Sequence, residues 1–218
     1  KEPEKLPWKK MNVDVVVEST GFFTTKEMAS RHLKAGARKV IISAPYRGNE
    51  YVKTIVRGVN ENNLDKNNDN IISMGSCTTN CLAPMAKVLN DNFVIERAFM
   101  TTIHAMTSDQ NLVDGPHRDL RRGRAANNNM VITTSGATSS VAEAIPDLKG
   151  KMDGVAIRVP IIVGSLTDFV AILKKPATRE KINWLFNEVS KYHLKGVLEY
   201  TEDPIVSSDI IGNPSSCV

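Results

Sequence analysis

The sequence has few cysteines, few aromatic residues and no long apolar run. Three of its 218 residues are cysteine, an odd and low number that argues against a disulfide scaffold and suits a reducing cytosol. No apolar stretch is long enough to span a bilayer. The first ten residues, KEPEKLPWKK, also lack the apolar centre of a signal peptide. The sequence therefore predicts a globular cytoplasmic protein that has no membrane partner.

A strong excess of charge of either sign is also missing. The 28 Lys and Arg residues against 24 Asp and Glu residues leave a formal net charge of +4. This mild excess suits an anionic small molecule but does not indicate nucleic acid. The arginines of residues 118–124 have no aromatic residues between them, so base stacking is not expected there. Nucleic acid is therefore not the predicted partner.

The first third of the chain alternates between apolar strands and a helix. Residues 13–18, 39–43 and 71–74 are short apolar runs rich in Val and Ile, which is typical of strands buried on both faces of a parallel sheet. A helix from the Thr24-Thr25 start to Gly36 joins the first two, which makes a βαβ unit. Because ligands bind at the carboxyl ends of such strands, Ser19–Gly21 and Ser43–Pro45 are candidate cofactor contacts; ordinary loop chemistry is the alternative.

The pattern changes character near Ser76, where we place a domain boundary. The following part mixes long strands with helices, which indicates an α+β arrangement. Helices are predicted at 79–89, 135–145 and 178–192. Pro84 lies close to the start of the first of them. Strands are predicted at 93–105, 130–133, 155–160, 165–173 and 200–209. The polar segment 107–129 is too long for a simple connection, and loops of this length are usually functional.

The stretch SCTTNCLAP, residues 76–84, contains the main candidate for chemistry. It places Cys77 at a helix start, where the positive end of the helix dipole lowers the pKa of a thiol. A buried inert cysteine is the alternative. His104, at the predicted end of a strand, is the best candidate to activate the thiol and later donate a proton.

The remaining cysteines and histidines carry weaker signals. Cys77 and Cys81 are one helical turn apart, a spacing compatible with a metal or redox pair. No second ligand cluster accompanies them and Cys217 is distant in the sequence, so no metal site is expected and Cys81 is assigned to a buried helix face. His32, His117 and His193 are assigned to a helix face, a loop and the surface.

Several residues are suited to binding an anion. Arginine matches phosphate through its planar fork, and the Ser135-Gly136 helix start offers backbone N–H groups. The candidates are Arg158, the cluster Arg121-Arg122-Arg124, and the hydroxyl groups of Ser76, Thr78, Thr107 and Ser135. A solvated loop or a subunit contact is the alternative for the arginine cluster.

Long segments resemble phosphorylating glyceraldehyde-3-phosphate dehydrogenases, in family order. They are VDVVVESTG (13–21), ARKVIISAP (37–45), SCTTNCLAP (76–84), TTIHAMTSDQ (101–110), DLRRGRAA (119–126), RVP (158–160) and EYTEDPIVSSD (199–209). The resemblance implies part of a Rossmann-type NAD-binding domain, residues 1–76, followed by a catalytic domain, residues 77–218. That catalytic domain is expected to be α+β with a mostly antiparallel sheet.

The resemblance also implies roles for individual residues. Cys77 matches the nucleophile, and His104 matches the general base and acid. The site for the substrate's own phosphate matches Thr107 and Arg158. The site for inorganic phosphate matches Ser76, Thr78, Arg122, Ser135 and Gly136. The positions that line the NAD site match Thr20, Gly21, Phe23, Ser43 and Ser108. Ser135 stands where the family usually has threonine, and Ser108 stands where asparagine is common.

The implied reaction converts glyceraldehyde 3-phosphate, NAD⁺ and inorganic phosphate into 1,3-bisphosphoglycerate and NADH through a cysteine thioester. The loop from Thr107 to Arg124 resembles one that reaches a neighbouring subunit, which implies a homotetramer. No G-x-G-x-x-G follows any strand, so we expect a partial chain that binds NAD poorly by itself and is inactive alone. The alternatives are erythrose-4-phosphate dehydrogenase and a non-catalytic binding protein, for example for RNA.

Overall fold

A computed structural model describes residues 2–218 and contains one four-stranded sheet on each side of Ser76. The first sheet is parallel throughout and has the order β1-β2-β4-β3. Its strands are β1 (Val15–Glu18), β2 (Lys39–Ile42), β3 (Lys53–Thr54) and β4 (Ile71–Ser73). Helix α1 (Lys26–Lys34) connects β1 to β2, as the apolar runs and the helical segment between them predict.

Local sequence signals set both ends of α1. The Thr25 hydroxyl accepts a hydrogen bond from the Met28 N–H at 3.1 Å, which caps the start of the helix. Gly36 follows the helix with φ of +107°. A Cβ at this position would lie 2.4 Å from the Lys9 Cβ, so only glycine fits both the backbone angle and the close approach. Ala29 of α1 then packs against buried Val40 and Ile42 of β2.

The second sheet has the order β6-β7-β5-β8. Its strands are β5 (Ile95–Ala105), β6 (Val131–Thr134), β7 (Met152–Val159) and β8 (Ser165–Leu173), and the helices of this part are α2 (Cys77–Phe93), α3 (Ala137–Ala144) and α4 (Arg179–Lys191). Strands β5 and β7 run parallel, whereas the β5–β8 and β6–β7 pairs are antiparallel. The predicted fold class, α/β followed by α+β with a mostly antiparallel sheet, is confirmed.

One face of the second sheet is covered and the other is not. Leu82 and Ala86 of α2 and Val141 of α3 pack with Ile95 and Met100 of β5 in a fully buried cluster. The opposite face leaves large apolar side chains exposed, namely Phe99, Ile132, Leu166, Val170 and Ile172. The packing on the covered face places α2 against β5.

Three details of the sequence interpretation are wrong. Helix α2 runs from Cys77 to Phe93, so Pro84 lies in its interior rather than near its start, and Phe93 belongs to the helix. Val94 then turns the chain into β5 with φ of +61°. The predicted strand 200–209 is absent from the described residues. Its polar side chains instead bond to nearby backbone N–H groups, as Thr201 and Asp209 do.

Within residues 2–218, no helix combines the length and apolar character needed to cross a bilayer.

Candidate active site

A tight turn places Cys77 as the first residue of α2. Gly75, with φ of +65°, ends the connection from β4. Ser76 is the N-cap: its hydroxyl accepts from the Thr79 N–H at 3.0 Å, and the Thr79 hydroxyl accepts from the Ser76 N–H at 3.1 Å. This reciprocal capping fixes the start of the helix. The Cys77 thiol therefore sits at the positive end of α2, where a thiolate is favoured.

The Cys77 thiol faces the imidazole of His104, the penultimate residue of β5. Cys77 Sγ lies 3.2 Å from His104 Nε2. The other ring nitrogen, Nδ1, lies 2.8 Å from the Ala105 carbonyl oxygen. A proton on Nδ1 suits the Ala105 carbonyl, which can only accept, whereas Arg158 Nη1, 3.0 Å from the same nitrogen, can only donate. With the proton on Nδ1, the Nε2 lone pair faces the thiol and His104 can take its proton.

The environment lowers the pKa of Cys77 from 9.0 to about 7. The hydrogen bond with His104 is the largest cause, and burial acts in the opposite direction. The charge of His104 and the hydroxyl and N–H of Thr78 lower the pKa further. Roughly half of the Cys77 side chains are then thiolate at neutral pH. Because the thiol is exposed, this nucleophile is accessible to a substrate.

Arg158 places a positive charge behind the imidazole. It is the register partner of His104 across the parallel β5–β7 pair. Its Nη1 lies 3.0 Å from His104 Nδ1 and donates to the Ala105 carbonyl at 3.2 Å and to the Thr107 hydroxyl at 3.3 Å. Its buried Nε has no hydrogen-bond partner in the described chain. Arg158 and Thr107 therefore offer donors to an anion beside the Cys77–His104 pair.

Within the predicted arginine cluster, Arg122 is the largely buried member, whereas Arg124 donates to Asp114 from an exposed position. Arg122 Nε and Nη2 donate to the Thr133 hydroxyl at 2.9 and 2.8 Å, and Nη1 donates to Asp109. The pKa of Arg158 is lowered, first by its burial and then by the charge of Arg122. The two cations are therefore close enough to repel, which an anion between them would relieve. Arg121 and Arg124 are exposed.

The other predicted phosphate contacts are less directly connected to this group. Thr78 is buried in the first turn of α2, next to Cys77. The Ser135 hydroxyl accepts from the Ala137 N–H at 3.2 Å, and exposed Gly136 is the N-cap of α3. Among residues 2–218, no hydrogen bond joins Ser135 or Gly136 to Cys77, His104 or Arg158. Their phosphate role stays a prediction.

Four of the five predicted cofactor contacts lie where β1 and β2 end. The Thr20 N–H donates to the Glu18 carboxylate at 2.8 Å, and the Ser43 N–H donates to the Glu18 carbonyl at 3.0 Å. Gly21 has φ of +76°, and the space that a side chain would occupy there is open. Phe23 meets the ring of His32 edge-on. The fifth, Ser108, is exposed and makes no hydrogen bond in the described part of the chain.

The structure brings together two cysteines that are distant in the sequence. Cys81 and Cys217 pack in one apolar cluster. The C-terminal segment returns to α2 through the Leu198–Cys217 bridge, which brings them together. In the described chain, no group of three or more His, Cys, Asp or Glu side chains forms a candidate metal site.

Two supporting residues were missed from the sequence. Asp109 bonds Arg122 across a long loop, and the Gln110 side-chain oxygen accepts from the Thr107 N–H at 3.2 Å. Gln110 is buried and its Nε2 has no partner among residues 2–218. In the sequence, Asp109 and Gln110 stand out only by their positions two and three residues after Thr107. Polar loop residues without any such role can have the same positions, so this signal does not identify them.

Comparison with known proteins agrees with this geometry. The family described as glyceraldehyde 3-phosphate dehydrogenase, C-terminal domain, matches residues 76–218. The chain is 52% identical over 217 residues to glyceraldehyde-3-phosphate dehydrogenase 2 of Streptomyces avermitilis, which covers 100% of this chain and 64% of the relative. It is 56% identical over 214 residues to glyceraldehyde-3-phosphate dehydrogenase of Mycolicibacterium smegmatis, covering 98% of this chain and 62% of the relative.

A similar relation holds with glyceraldehyde-3-phosphate dehydrogenase 1 of Bacillus subtilis, at 52% identity over 216 residues, 99% of this chain and 64% of the relative. The chain thus spans a little under two thirds of the length of these curated relatives. The family match includes the Cys77 turn, His104 and Arg158. This chain therefore belongs to the glyceraldehyde-3-phosphate dehydrogenase family.

Proposed function

We propose that the complete protein is a glycolytic, NAD-dependent phosphorylating dehydrogenase. It converts glyceraldehyde 3-phosphate, NAD⁺ and inorganic phosphate into 1,3-bisphosphoglycerate and NADH. The observation that carries the proposal is the 3.2 Å contact between Cys77 Sγ and His104 Nε2. A thiol with a pKa of about 7 beside an imidazole is suited to attack an aldehyde carbon. A glycolytic role would place the protein in the cytoplasm.

The first chemical step joins the Cys77 thiolate to the aldehyde carbon of the substrate. His104 takes the thiol proton and, once protonated, donates to the oxygen that becomes negative. The backbone N–H of Cys77 at the start of α2 is a second donor to this oxygen. The chemistry that bound NAD⁺ supplies is acceptance of a hydride, which oxidises the Cys77 hemithioacetal to a thioester.

Phosphate then releases the acyl group from Cys77. We assign the substrate's own phosphate to Thr107 and Arg158, because both offer donors next to His104. We assign inorganic phosphate to Arg122 and to the small residues near the starts of α2 and α3. Those residues are Ser76, Thr78, Ser135 and Gly136. Attack by phosphate on the thioester returns Cys77 to its thiolate form, so that covalent catalysis replaces one difficult step by two easier ones.

The first sheet has features that fit NAD. Thr20, Gly21, Phe23 and Ser43 lie at the carboxyl ends of parallel strands, where open α/β sheets bind their ligands. The open space over Gly21 admits a close approach of a ligand. Ser108 is assigned to the nicotinamide by family resemblance. We accordingly propose residues 1–76 as part of the NAD-binding domain and residues 77–218 as the catalytic domain.

We further propose that the complete protein is a homotetramer. The uncovered face of the second sheet leaves Val170, Leu166 and Ile172 of β8 about 60% exposed, and exposed apolar patches of this kind usually mark interfaces. Leu120 of the polar loop is 84% exposed. A second copy of the chain is the proposed occupant of these surfaces, and no membrane or nucleic-acid partner is proposed.

The test is Cys77→Ser in the complete protein, with Cys217→Ala as the matched cysteine control. NADH formation should be abolished by Cys77→Ser and retained by the control. Turnover retained by Cys77→Ser would contradict the proposal. Comparing kcat/KM for glyceraldehyde 3-phosphate and erythrose 4-phosphate, with and without phosphate, separates the proposed reaction from erythrose-4-phosphate dehydrogenase. Salt-sensitive RNA affinity without turnover would instead indicate a binding protein.

A further inference from the structure

A buried pair of ionisable side chains, Glu18 and His32, has no part in the proposed reaction. Their side chains are only 2% and 6% exposed, and His32 Nε2 lies 3.0 Å from Glu18 Oε2. The Trp8 indole N–H donates to His32 Nδ1 at 3.1 Å. Because an indole N–H can only donate, Nδ1 carries no proton and the Nε2–H group donates to Glu18. Trp8 thereby sets the tautomer of His32.

The second oxygen of the Glu18 carboxylate organises the turn that follows β1. Both the N–H and the hydroxyl of Thr20 donate to Glu18 Oε1. The Thr20 hydroxyl oxygen in turn accepts from the Phe22 N–H at 3.2 Å. Burial of Glu18 opposes its charge, but the hydrogen bonds from Thr20 and His32 outweigh this and hold the pKa of the carboxyl below its usual value. The turn of residues 19–22 is therefore tied to an anchored carboxylate.

The His32 ring also reaches a second proposed cofactor contact. Ser43 is held separately, by the backbone carbonyl of Glu18, which accepts from its N–H at 3.0 Å and from its hydroxyl at 3.2 Å. The Phe23 ring lies edge-on to the His32 ring, with centroids 6.0 Å apart. Thr20 and Phe23 thus contact the side chains of Glu18 and His32. A buried polar network that is fully satisfied makes its neighbours rigid.

We propose that Glu18, His32 and Trp8 are positioning residues that pre-organise the 19–22 turn and Phe23 for a nicotinamide dinucleotide. The inference rests on the proposed function, in which NAD is the cofactor. None of the three needs to touch the cofactor, because each acts through the side chains that it holds. A pair that only filled the core would leave cofactor affinity unchanged when the fold survives its replacement.

Glu18→Gln is the sharpest variant because it keeps the shape and removes one acceptor. The amide nitrogen of the glutamine side chain must face either the His32 Nε2–H or the donors of Thr20. Either arrangement places two hydrogen-bond donors against each other. His32 cannot relieve this by moving its proton to Nδ1, because the Trp8 indole N–H already donates to that nitrogen. Either the His32 anchor or the turn is then lost. Trp8→Phe is a milder variant that keeps the ring and removes only the indole donor.

The experiment measures the dissociation constant for NAD⁺ in the complete protein, together with the alkylation rate of Cys77 by iodoacetamide without NAD⁺. We expect an approximately tenfold weaker NAD⁺ affinity in Glu18→Gln and about threefold in Trp8→Phe, which correspond to the loss of about one hydrogen bond or less. The alkylation rate should stay within about twofold, because Cys77 is outside the network. His193→Gln and Trp184→Phe, which alter exposed side chains, are matched controls and should change neither value.

The outcomes separate this inference from the proposed function. If the unaltered protein binds no NAD⁺, the proposed function and the ligand assigned here both fail. If it binds NAD⁺ and both variants bind equally well, only the positioning role is overturned. If NAD⁺ affinity and the Cys77 alkylation rate fall equally, the positioning role is also overturned, because the network would then stabilise the fold in general and not the cofactor site in particular. Nitrogen-15 NMR of His32 needs no variant: a protonated Nδ1 would overturn the arrangement, and a protonated Nε2 supports it.

Discussion

Replacing His104 by asparagine tests the thiol–imidazole pair directly, without cofactor or substrate. His104 is the largest cause of the low Cys77 pKa of about 7, against 9.0 for an unperturbed cysteine. When the contact is lost, we expect the pKa to return to about 9. The thiolate fraction at pH 7 then falls from roughly one half to roughly one hundredth, a factor of about 50.

The expected change in rate is smaller than the change in thiolate fraction. A thiolate of higher pKa is intrinsically more nucleophilic, with a Brønsted slope of about 0.4–0.5. A rise of about two pKa units therefore increases the reactivity of the thiolate itself by roughly eightfold. Alkylation of Cys77 at pH 7 should therefore slow by about sixfold. Above pH 9 the variant should react faster than the unaltered protein, since both thiols are then mostly ionised.

The assay is the rate of iodoacetamide alkylation of Cys77 between pH 5 and pH 10, followed by mass spectrometry. The midpoint of the profile reports the Cys77 pKa in each protein. His193→Asn is the control, because His193 is exposed and lies after α4. A midpoint that stays near 7 in His104→Asn would refute the reasoning. The position of Cys77 at the helix start would then account for its reactivity without the imidazole.

Three other changes have distinct expected outcomes. Arg158→Lys should raise KM for the aldehyde phosphate by at least about tenfold, measured by steady-state kinetics, because lysine lacks the Arg158 Nε–H, a donor that has no partner in the described chain and is free for the phosphate; an unchanged KM would exclude the assigned phosphate contact. Val170→Glu should shift the complete protein to smaller species in sedimentation velocity, since it charges the uncovered sheet face, and unaltered assembly would rule that face out. Leu82→Ala should lower the free energy of unfolding in urea by about 2–5 kcal/mol, because Leu82 is fully buried between α2 and β5; a loss below about 1 kcal/mol would indicate a loosely packed core.

The elements that the sequence predicted well are those with strong local signals. Strand β8 was predicted with the bounds that the structure shows, and α4 within one residue at each end. Alternation along β8 and the Thr178 cap of α4 depend only on neighbours in sequence. The strand predicted at 200–209 failed because its apolar pattern was outweighed by side-chain bonds to the local backbone.

In the candidate site too, the sequence predicted single residues but not the contacts between them. Resemblance and helix-start chemistry singled out Cys77, and a strand-end position singled out His104. Neither signal contains the 3.2 Å contact between them, which depends on α2 packing against the end of β5. Residue types suggested the arginine cluster as a unit and only the resemblance singled out Arg122; the structure turns Arg122 toward Thr133 and leaves Arg121 and Arg124 exposed. The path of a long loop decides this, and its residue types do not.

By itself, the sequence determined most of the helices and strands, a helix start near Cys77 and the family to which the chain belongs. These follow from spacing and from short-range hydrogen bonds, so a single stretch of chain contains the information. Only the tertiary structure decided that Arg158 lies behind His104, that Cys217 meets Cys81 and that Glu18 and His32 support the turn after β1. Each of these contacts joins residues far apart in sequence, and close packing of the two sheets and their helices is what brings them together.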